Sequence, residues 1–305
     1  MKTLLVAVNA KHIHTNPAVR VMRVLAGDAG LTDTDFAEFT INQSHRSVLA
    51  ALYAARADVY VFSCYIWNIE MITALAADLR LLCPRAVMAA AGPQVSYNAT
   101  GFLTGNPAFD YVLYGEGENS APAFLRDMAR HGKARGAGLV YRDGAGFATT
   151  PAPETASMDA LPFAYEDMPH LSGRIIYYES MRGCPFSCSY CLSSIGKGVR
   201  TRSMALVRED LARFLAARVH QVKFVDRTFN ALKDHAMAVW DYLIRNDNGV
   251  TNFHFELSGA LIDADMLALL KKARPGLFQF EIGVQSCNEK TLREIARAFP
   301  FDKLS

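Results

Sequence analysis

Hydrophobic residues in the first half of the chain come in short unbroken runs. Residues 4–8, Leu-Leu-Val-Ala-Val, are all apolar after Thr3. Such a run suits a strand covered on both faces, as in a parallel sheet. Runs at 36–41, 58–63, 86–91 and 111–114 predict four further strands. Helices are predicted between them. The first is opened by Asn16 as cap with Pro17 at its first position, and Val21, Val24 and Leu25 form its apolar stripe. Others are expected at 47–57, 70–82 and 121–131. Strand and helix alternate throughout, which predicts a doubly wound α/β domain over residues 1–131. Ligands of such folds bind beyond the carboxyl ends of the strands. The informative loops are therefore 9–16, 63–69, 92–98 and 115–119, which are small, polar or glycine-rich, with Tyr65, Trp67 and Tyr97 as flat surfaces.

The pattern changes at 132–170. Residues 138–141 and 146–150, around Asp143-Gly144, read as a hairpin. Pro151, Pro153, Pro162 and Pro169 then punctuate a stretch with few periodic apolar positions, which is expected to be a linker laid over the surface. From 171 onward four βα-like units are predicted. Their strands fall at 175–180, 221–226, 252–258 and 277–284, and their helices at 204–218, 233–246, 263–273 and near 289–298. Alternation separates the faces of these strands. Phe253, Phe255 and Leu257 oppose His254, Glu256 and Ser258, and Phe278, Phe280, Ile282 and Val284 oppose Gln279, Glu281, Gly283 and Gln285. The apolar faces fit a layer of helices. A closed (β/α) barrel fills its interior with apolar side chains, so polar inner faces imply a cavity holding something polar. The plainer alternative is an amphipathic sheet with its polar face in water.

Composition narrows the class. The 305 residues are enough for two domains, and 51% are hydrophobic, so both can have cores. A net charge of +2 gives no general argument for nucleic acid or an anionic membrane. No apolar run reaches the roughly 18 residues of a membrane span, and no charged-then-apolar signal segment opens the chain. Of six cysteines, three are clustered and Cys64, Cys83 and Cys287 are scattered. That distribution suits metal chemistry in a reducing cytoplasm better than a disulfide framework.

The clustered three lie in Cys184-Pro185-Phe186-Ser187-Cys188-Ser189-Tyr190-Cys191, on a loop after the strand-like 175–180 run, which Arg182-Gly183 breaks. Iron–sulfur clusters usually take four cysteines. Three local thiolates leave one iron open for a substrate or cofactor. Structural zinc would want four ligands. Cys188 and Cys191 supply a pair, but no second Cys-x-x-Cys follows.

The three-cysteine spacing, with Tyr190 before the last, resembles the cluster loop of the radical SAM superfamily. The resemblance implies a [4Fe-4S] cluster on Cys184, Cys188 and Cys191, with S-adenosylmethionine chelated at the open iron and cleaved by one electron to a 5′-deoxyadenosyl radical. The N-terminal loops resemble those of cobalamin-binding domains that precede such barrels. Ser63-Cys64-Tyr65 stands where that family has a serine loop, Gly92-Pro93-Gln94-Val95-Ser96 where it has a glycine loop under the corrin tail, and Gly115-Glu116-Gly117-Glu118 matches its acidic glycine turn. These residues apart from Cys64, with Trp67, Asn9, His12 and His14, are the cobalamin-site candidates. The first loop departs from the family: Asn9-Ala10-Lys11-His12-Ile13-His14-Thr15 does not fit Asp-x-His-x-x-Gly, whose His ligates cobalt.

Phe224-Val225-Asp226-Arg227-Thr228-Phe229-Asn230 and Glu281-Ile282-Gly283-Val284-Gln285-Ser286 resemble the second- and fourth-strand motifs of cobalamin-dependent radical SAM enzymes, and 161–165 resembles their connector. By that match Tyr190, Asp226, Glu256, Ser258, Glu281 and Gln285 are the S-adenosylmethionine-site candidates, with Glu281 and Gln285 on the substrate side. The resemblance implies C-methylation or a related radical transformation of an unactivated carbon in a small molecule or biosynthetic intermediate. It also implies an external one-electron donor of flavodoxin or ferredoxin type. The chain stops at Ser305, just past the fourth of about six units, so a truncated barrel is expected: a fragment, a partner-capped protein or a decayed copy. Two rivals stay open. A transfer-RNA methylthiotransferase would carry its own N-terminal cluster cysteines, where only Cys64 and Cys83 are available, and a basic patch, which is lacking. A non-catalytic cobalamin-binding module with a decayed barrel would bind cofactor without turnover.

Overall fold

The computed structural model describes residues 1–196 and 198–297. The chain divides into two compact units, Met1–Ala156 with Leu161–Tyr165, and Ser157–Ala160 with the chain from Glu166 on.

The first unit is built on strands β1 (Thr3–Asn9), β2 (Thr34–Thr40), β3 (Val59–Ser63), β4 (Val87–Ala91), β5 (Tyr111–Leu113), β6 (Leu139–Asp143) and β7 (Gly146–Thr149). They form one sheet in the order β2-β1-β3-β4-β5-β6-β7, with the first five parallel. Its helices are α1 (Pro17–Asp28), α2 (His45–Ala55), α3 (Ile69–Leu82), α4 (Pro93–Ser96), α5 (Ala99–Gly105) and α6 (Gly117–His131). Alternate residues of β1 enter opposite cores. Leu4, Val6 and Val8 pack with Val48 and Leu52 of α2 and Ile72 and Leu75 of α3. Leu5 and Ala7 pack with Val19 of α1 and Phe124 of α6. Burial on both faces is why β1 is apolar at every position. The Asn16 side chain accepts from the amide of Val19, capping α1 as its sequence predicts.

Two expectations change here. The hairpin β6–β7 is not part of a surface linker: β6 pairs antiparallel with β5, residue Val112 against Val140, and extends the sheet. Turn residues identify a hairpin but not the edge it joins. Helix α6 begins at Gly117, not at Ala121, so Gly117 and Glu118 belong to its first turn. Pro122 looks like a helix opener but sits in the sixth position.

The second unit contains β8 (Ile175–Tyr178), β9 (Met181–Cys184), β10 (Gly198–Thr201), β11 (Gln221–Phe224), β12 (Asn252–Leu257) and β13 (Phe278–Ile282), with α7 (Met204–Ala216), α8 (Lys233–Arg245), α9 (Ala264–Leu270) and α10 (Glu289–Glu294). Strands β13-β12-β11-β8 form a parallel sheet in that order, and β9 and β10 form a separate antiparallel ribbon. The apolar faces of β11 and β12 are covered as predicted, whereas Phe280, Ile282 and Val284 on and after β13 are exposed. Phe255 of β12 meets Phe229 at 4.4 Å and Phe224 at 4.5 Å between ring centroids, and Trp240 of α8 closes over Phe229 at 5.6 Å.

The strands end earlier than their apolar patterns suggest. β11 stops at Phe224, β12 at Leu257 and β13 at Ile282, so Asp226, Ser258 and Gln285 lie past strand ends, where parity no longer assigns a face. Gln285 is exposed in a turn at φ 68°. The predicted helix near 289–298 is shorter, and its last expected position lies outside the described residues, as does the end of the chain.

Candidate functional site

The cysteine loop leaves a ribbon strand rather than a broken strand end. Gly183, which reads as a breaker, pairs with Val199 inside the ribbon. It holds φ 104°, and a Cβ there would stand 2.1 Å from the carbonyl oxygen of Gly198. Only glycine lets the two backbones approach this closely at a positive φ. Cys184 follows as the last residue of β9, Cys188 is buried, and Cys191 is half-buried. The Cys191 amide donates to the Cys188 carbonyl at 3.1 Å, and the amide and hydroxyl of Ser194 return to the Cys191 carbonyl. All six cysteines are free thiols.

Among the described residues no group of three or more His, Cys, Asp or Glu is gathered closely enough to hold one metal ion. A cubane cluster places its thiolates on separate corners and asks for a wider spread than a single ion. Three free thiols on one loop match that donor set. Exposed Tyr190 receives a hydrogen bond from Arg297 at 3.2 Å, and Arg297 also donates to the carbonyl of Gly283 after β13.

Asp226 does not face a cavity. It is fully buried, and its carboxylate accepts from the amides of Ser180 at 2.8 Å and Met181 at 3.2 Å and from the Ser180 hydroxyl at 2.5 Å. The Ser180 oxygen also lies 2.9 Å from Nε2 of His235. Burial pushes the Asp226 acid up to about 8, against the pull of the Ser180 bond. Placed past the end of β11, Asp226 fixes the entry to β9. Its carboxyl therefore supports the cysteine strand and does not offer the cofactor contact expected from the motif.

The polar face of the parallel sheet carries a network centred on Lys223. Its ammonium lies 3.4 Å from Glu256 and 3.2 Å from Glu281, and Glu281 also lies 3.4 Å from His254. Register brings them together, since Lys223 pairs with His254 and Glu256 with Glu281. Burial, then the Lys223 charge, lowers the His254 pKa, which works against a charged imidazole beside Glu281. Lys223 is a site residue that strand patterning passes over. The available signal is its alternation with Val222 and Phe224, which puts it on the polar face. A shallow open-sided recess lies at the carboxyl ends of β12 and β13, lined by Ser258, Gly259, Gly283, Ser286 and Arg297 among others. Ser258 is held there by reciprocal bonds with the Asn230 amide.

In the first unit the strand order reverses between β1 and β3, the point at which doubly wound sheets open a ligand crevice. The loop after β3 is pinned at that point. The Asn68 side chain donates to the carbonyls of Val8 and Ser63 at 2.9 and 3.0 Å and accepts from the Tyr65 amide, while Trp67 Nε1 donates to Val8 at 3.3 Å. Tyr65 and Trp67 stack, centroids 4.4 Å apart and planes 11° from parallel. Trp67, Ile66 and Tyr97 are exposed apolar surface at this rim.

Gly92, at φ 111°, approaches so closely that a Cβ would meet the Cys64 carbonyl oxygen at 2.6 Å. Cys64 is buried beneath it, its thiol pushed up to about 12 by burial. Pro93, Gln94 and Ser96 form α4 on the rim, whereas Val95 points into the core. Gly115 turns at φ 77°, and Glu116 is the residue before α6.

Two other candidates, like Val95, point inward. Buried Asn9 spends its amide on the His14 carbonyl at 3.0 Å and on Glu38 at 3.2 Å, and buried Ser63 lies 3.5 Å from the Asn16 side chain. Asn9, Ser63 and Val95 therefore organise the loops from below, while His12 is exposed and His14 half-buried.

Residues 3–125 match the family model of the B12 binding domain, and residues 178–304 match that of the radical SAM superfamily. The chain is 26% identical over 273 residues to the hopanoid C-3 methylase of Methylococcus capsulatus, covering 86% of this chain and 52% of that protein. It is 25% identical over 244 residues to the anaerobic magnesium-protoporphyrin IX monomethyl ester cyclase of Synechocystis, covering 73% and 46%. It thus spans about half the length of these curated relatives. Its fold matches the structure of the cobalamin-dependent S-adenosylmethionine radical enzyme OxsB with a TM-score of 0.80 and 14% identity, over 100% of this chain and 46% of that one. Matched along the N-terminal sheet and again across the cysteine loop and the parallel strands that follow, the chain joins a B12 binding domain to a radical SAM domain.

Proposed function

We propose that this protein acts as a cobalamin-dependent radical S-adenosylmethionine enzyme that methylates an unactivated carbon of a small molecule. One observation carries the reading: a single chain pairs three free thiols on one loop with a second sheet whose switch point is floored by stacked aromatic rings. Cys184, Cys188 and Cys191 would hold a [4Fe-4S] cluster, with S-adenosylmethionine at its open iron and cobalamin on the first unit. Together these groups supply one-electron sulfonium cleavage and methyl transfer, while the protein binds and orients them.

The protein's own groups have separable tasks. Tyr65, Trp67 and Tyr97 offer flat apolar surface to the corrin face, and the Gly92 and Gly115 turns bring backbone rather than side chains to its edge. His12 and His14 are not assigned to cobalt, because the loop lacks the Asp-x-His-x-x-Gly spacing. On the parallel sheet, two carboxylates around one ammonium leave a net negative charge, which suits the α-ammonium of S-adenosylmethionine. Ser258 and Tyr190 lie at strand and loop ends where its remaining polar groups can be met. The electron comes from an external donor of flavodoxin or ferredoxin type.

Anaerobic reconstitution tests the proposal. Iron and sulfide incorporation, a cobalamin absorbance band on the purified protein and 5′-deoxyadenosine on addition of reductant are expected. Cobalamin uptake without 5′-deoxyadenosine would leave only a binding module. Ring formation in place of methylation is a second reading, favoured by comparable identity to the cyclase. A product mass raised by one methylene, rather than lowered by loss of hydrogen, separates the two.

A further inference from the structure

The segment that follows β11 does more than close the strand. Asp226 anchors it to Ser180 and Met181, at the start of the cysteine strand. Two residues on, Thr228 reaches the other end of that strand, with Oγ1 3.4 Å from Sγ of Cys184. Thr228 is buried, its carbonyl accepts from the Ala231 amide at 2.9 Å, and Phe229 beside it is fully buried against Trp240 and Phe255. The hydroxyl is thus held in place from both sides and shielded from water.

We propose that Thr228 is a tuning residue for an iron–sulfur cluster, its hydroxyl donating a hydrogen bond to the Cys184 sulfur and raising the reduction potential of the cluster. The inference rests on the cluster reading above. A threonine hydroxyl has one proton, and it has two acceptors within reach, the Cys184 sulfur and the Arg227 carbonyl at 2.9 Å. With free thiols the Arg227 carbonyl takes it, and the Cys184 thiol can donate to Oγ1 in turn. As a cluster ligand Cys184 is a thiolate with no proton to give. A charged acceptor makes the stronger bond, by roughly a factor of two over a neutral one, so the hydroxyl turns to sulfur. Hydrogen bonds to cluster sulfurs are among the protein's controls on reduction potential. The reduced cluster carries one more negative charge, so the bond stabilises it more than the oxidised form. Cys188 and Cys191 sit on the loop beyond β9, so of the three sulfurs the one at Cys184 would take the bond.

The test uses the full chain, reconstituted anaerobically without S-adenosylmethionine, as wild type, Thr228→Val and Thr228→Ser. Each is titrated potentiometrically while the reduced cluster is followed by electron paramagnetic resonance. With equal iron and sulfide content, the valine variant is expected to titrate at a more negative potential and the serine variant with wild type. A valine variant at the wild-type potential, or a serine variant that shifts with valine, overturns the inference. If only valine fails to load while serine loads and titrates normally, the hydroxyl serves assembly of the cluster and not its potential, and the inference falls. If both fail to load, packing is the requirement and it falls. Wild-type protein that takes up no iron or sulfide removes the cluster reading itself, and the role of Thr228 with it.

Discussion

Asp226 shows how much one buried carboxyl can settle. Its acid is pushed up to about 8, against an ordinary value of 3.8, chiefly by burial. Between those limits the folded protein binds a proton that the unfolded chain does not. Stability is therefore fully supported below about pH 4 and falls as pH rises through 8. Asp226→Asn keeps an acceptor for the two amides and a donor for Ser180. Denaturant unfolding from pH 5 to 9 is expected to show that component in wild type and its absence in Asp226→Asn. Asp226→Ala strands two buried amides, at about 1–3 kcal/mol each. The residue type and the motif around it were legible in the sequence. Its inward direction was not, because β11 ends two residues before it. Thr228 had no local signal, since its contact spans 44 residues.

Elements were legible wherever burial repeats with the period of the element. Strands β1, β3, β4 and β5 of the first unit follow from two-sided burial, and α1 from its cap and proline. Partners that come from register were not. The Lys223 network needs β11, β12 and β13 aligned side by side, and the β9–β10 ribbon needs Gly183 against the Gly198 carbonyl. That ribbon gives a prediction at the element scale. Gly183→Ala has no room for its methyl and no relaxed φ, so the ribbon separates and Cys184 loses its position. Iron and sulfide uptake is expected to fall at least about tenfold, the effect of some 1.4 kcal/mol, while far-ultraviolet circular dichroism changes little. Normal uptake would show that the loop sets itself without the ribbon.

At the scale of the whole molecule, each unit has its own sheet and its own apolar core, and no helix of the described residues is long and apolar enough to cross a membrane. Separate cores imply separable losses. Cys188→Ala is expected to abolish iron–sulfur absorbance and leave cobalamin binding within about twofold of wild type; loss of both together would show that the two units depend on one another. The bond from the Ser180 amide to Asp226 closes a loop 46 residues apart. During synthesis the three thiols emerge from the ribosome well before their clasp does. A nascent chain therefore exposes an unformed sulfur cradle until residue 226 has been added and docked, and metal delivery must follow translation of that segment.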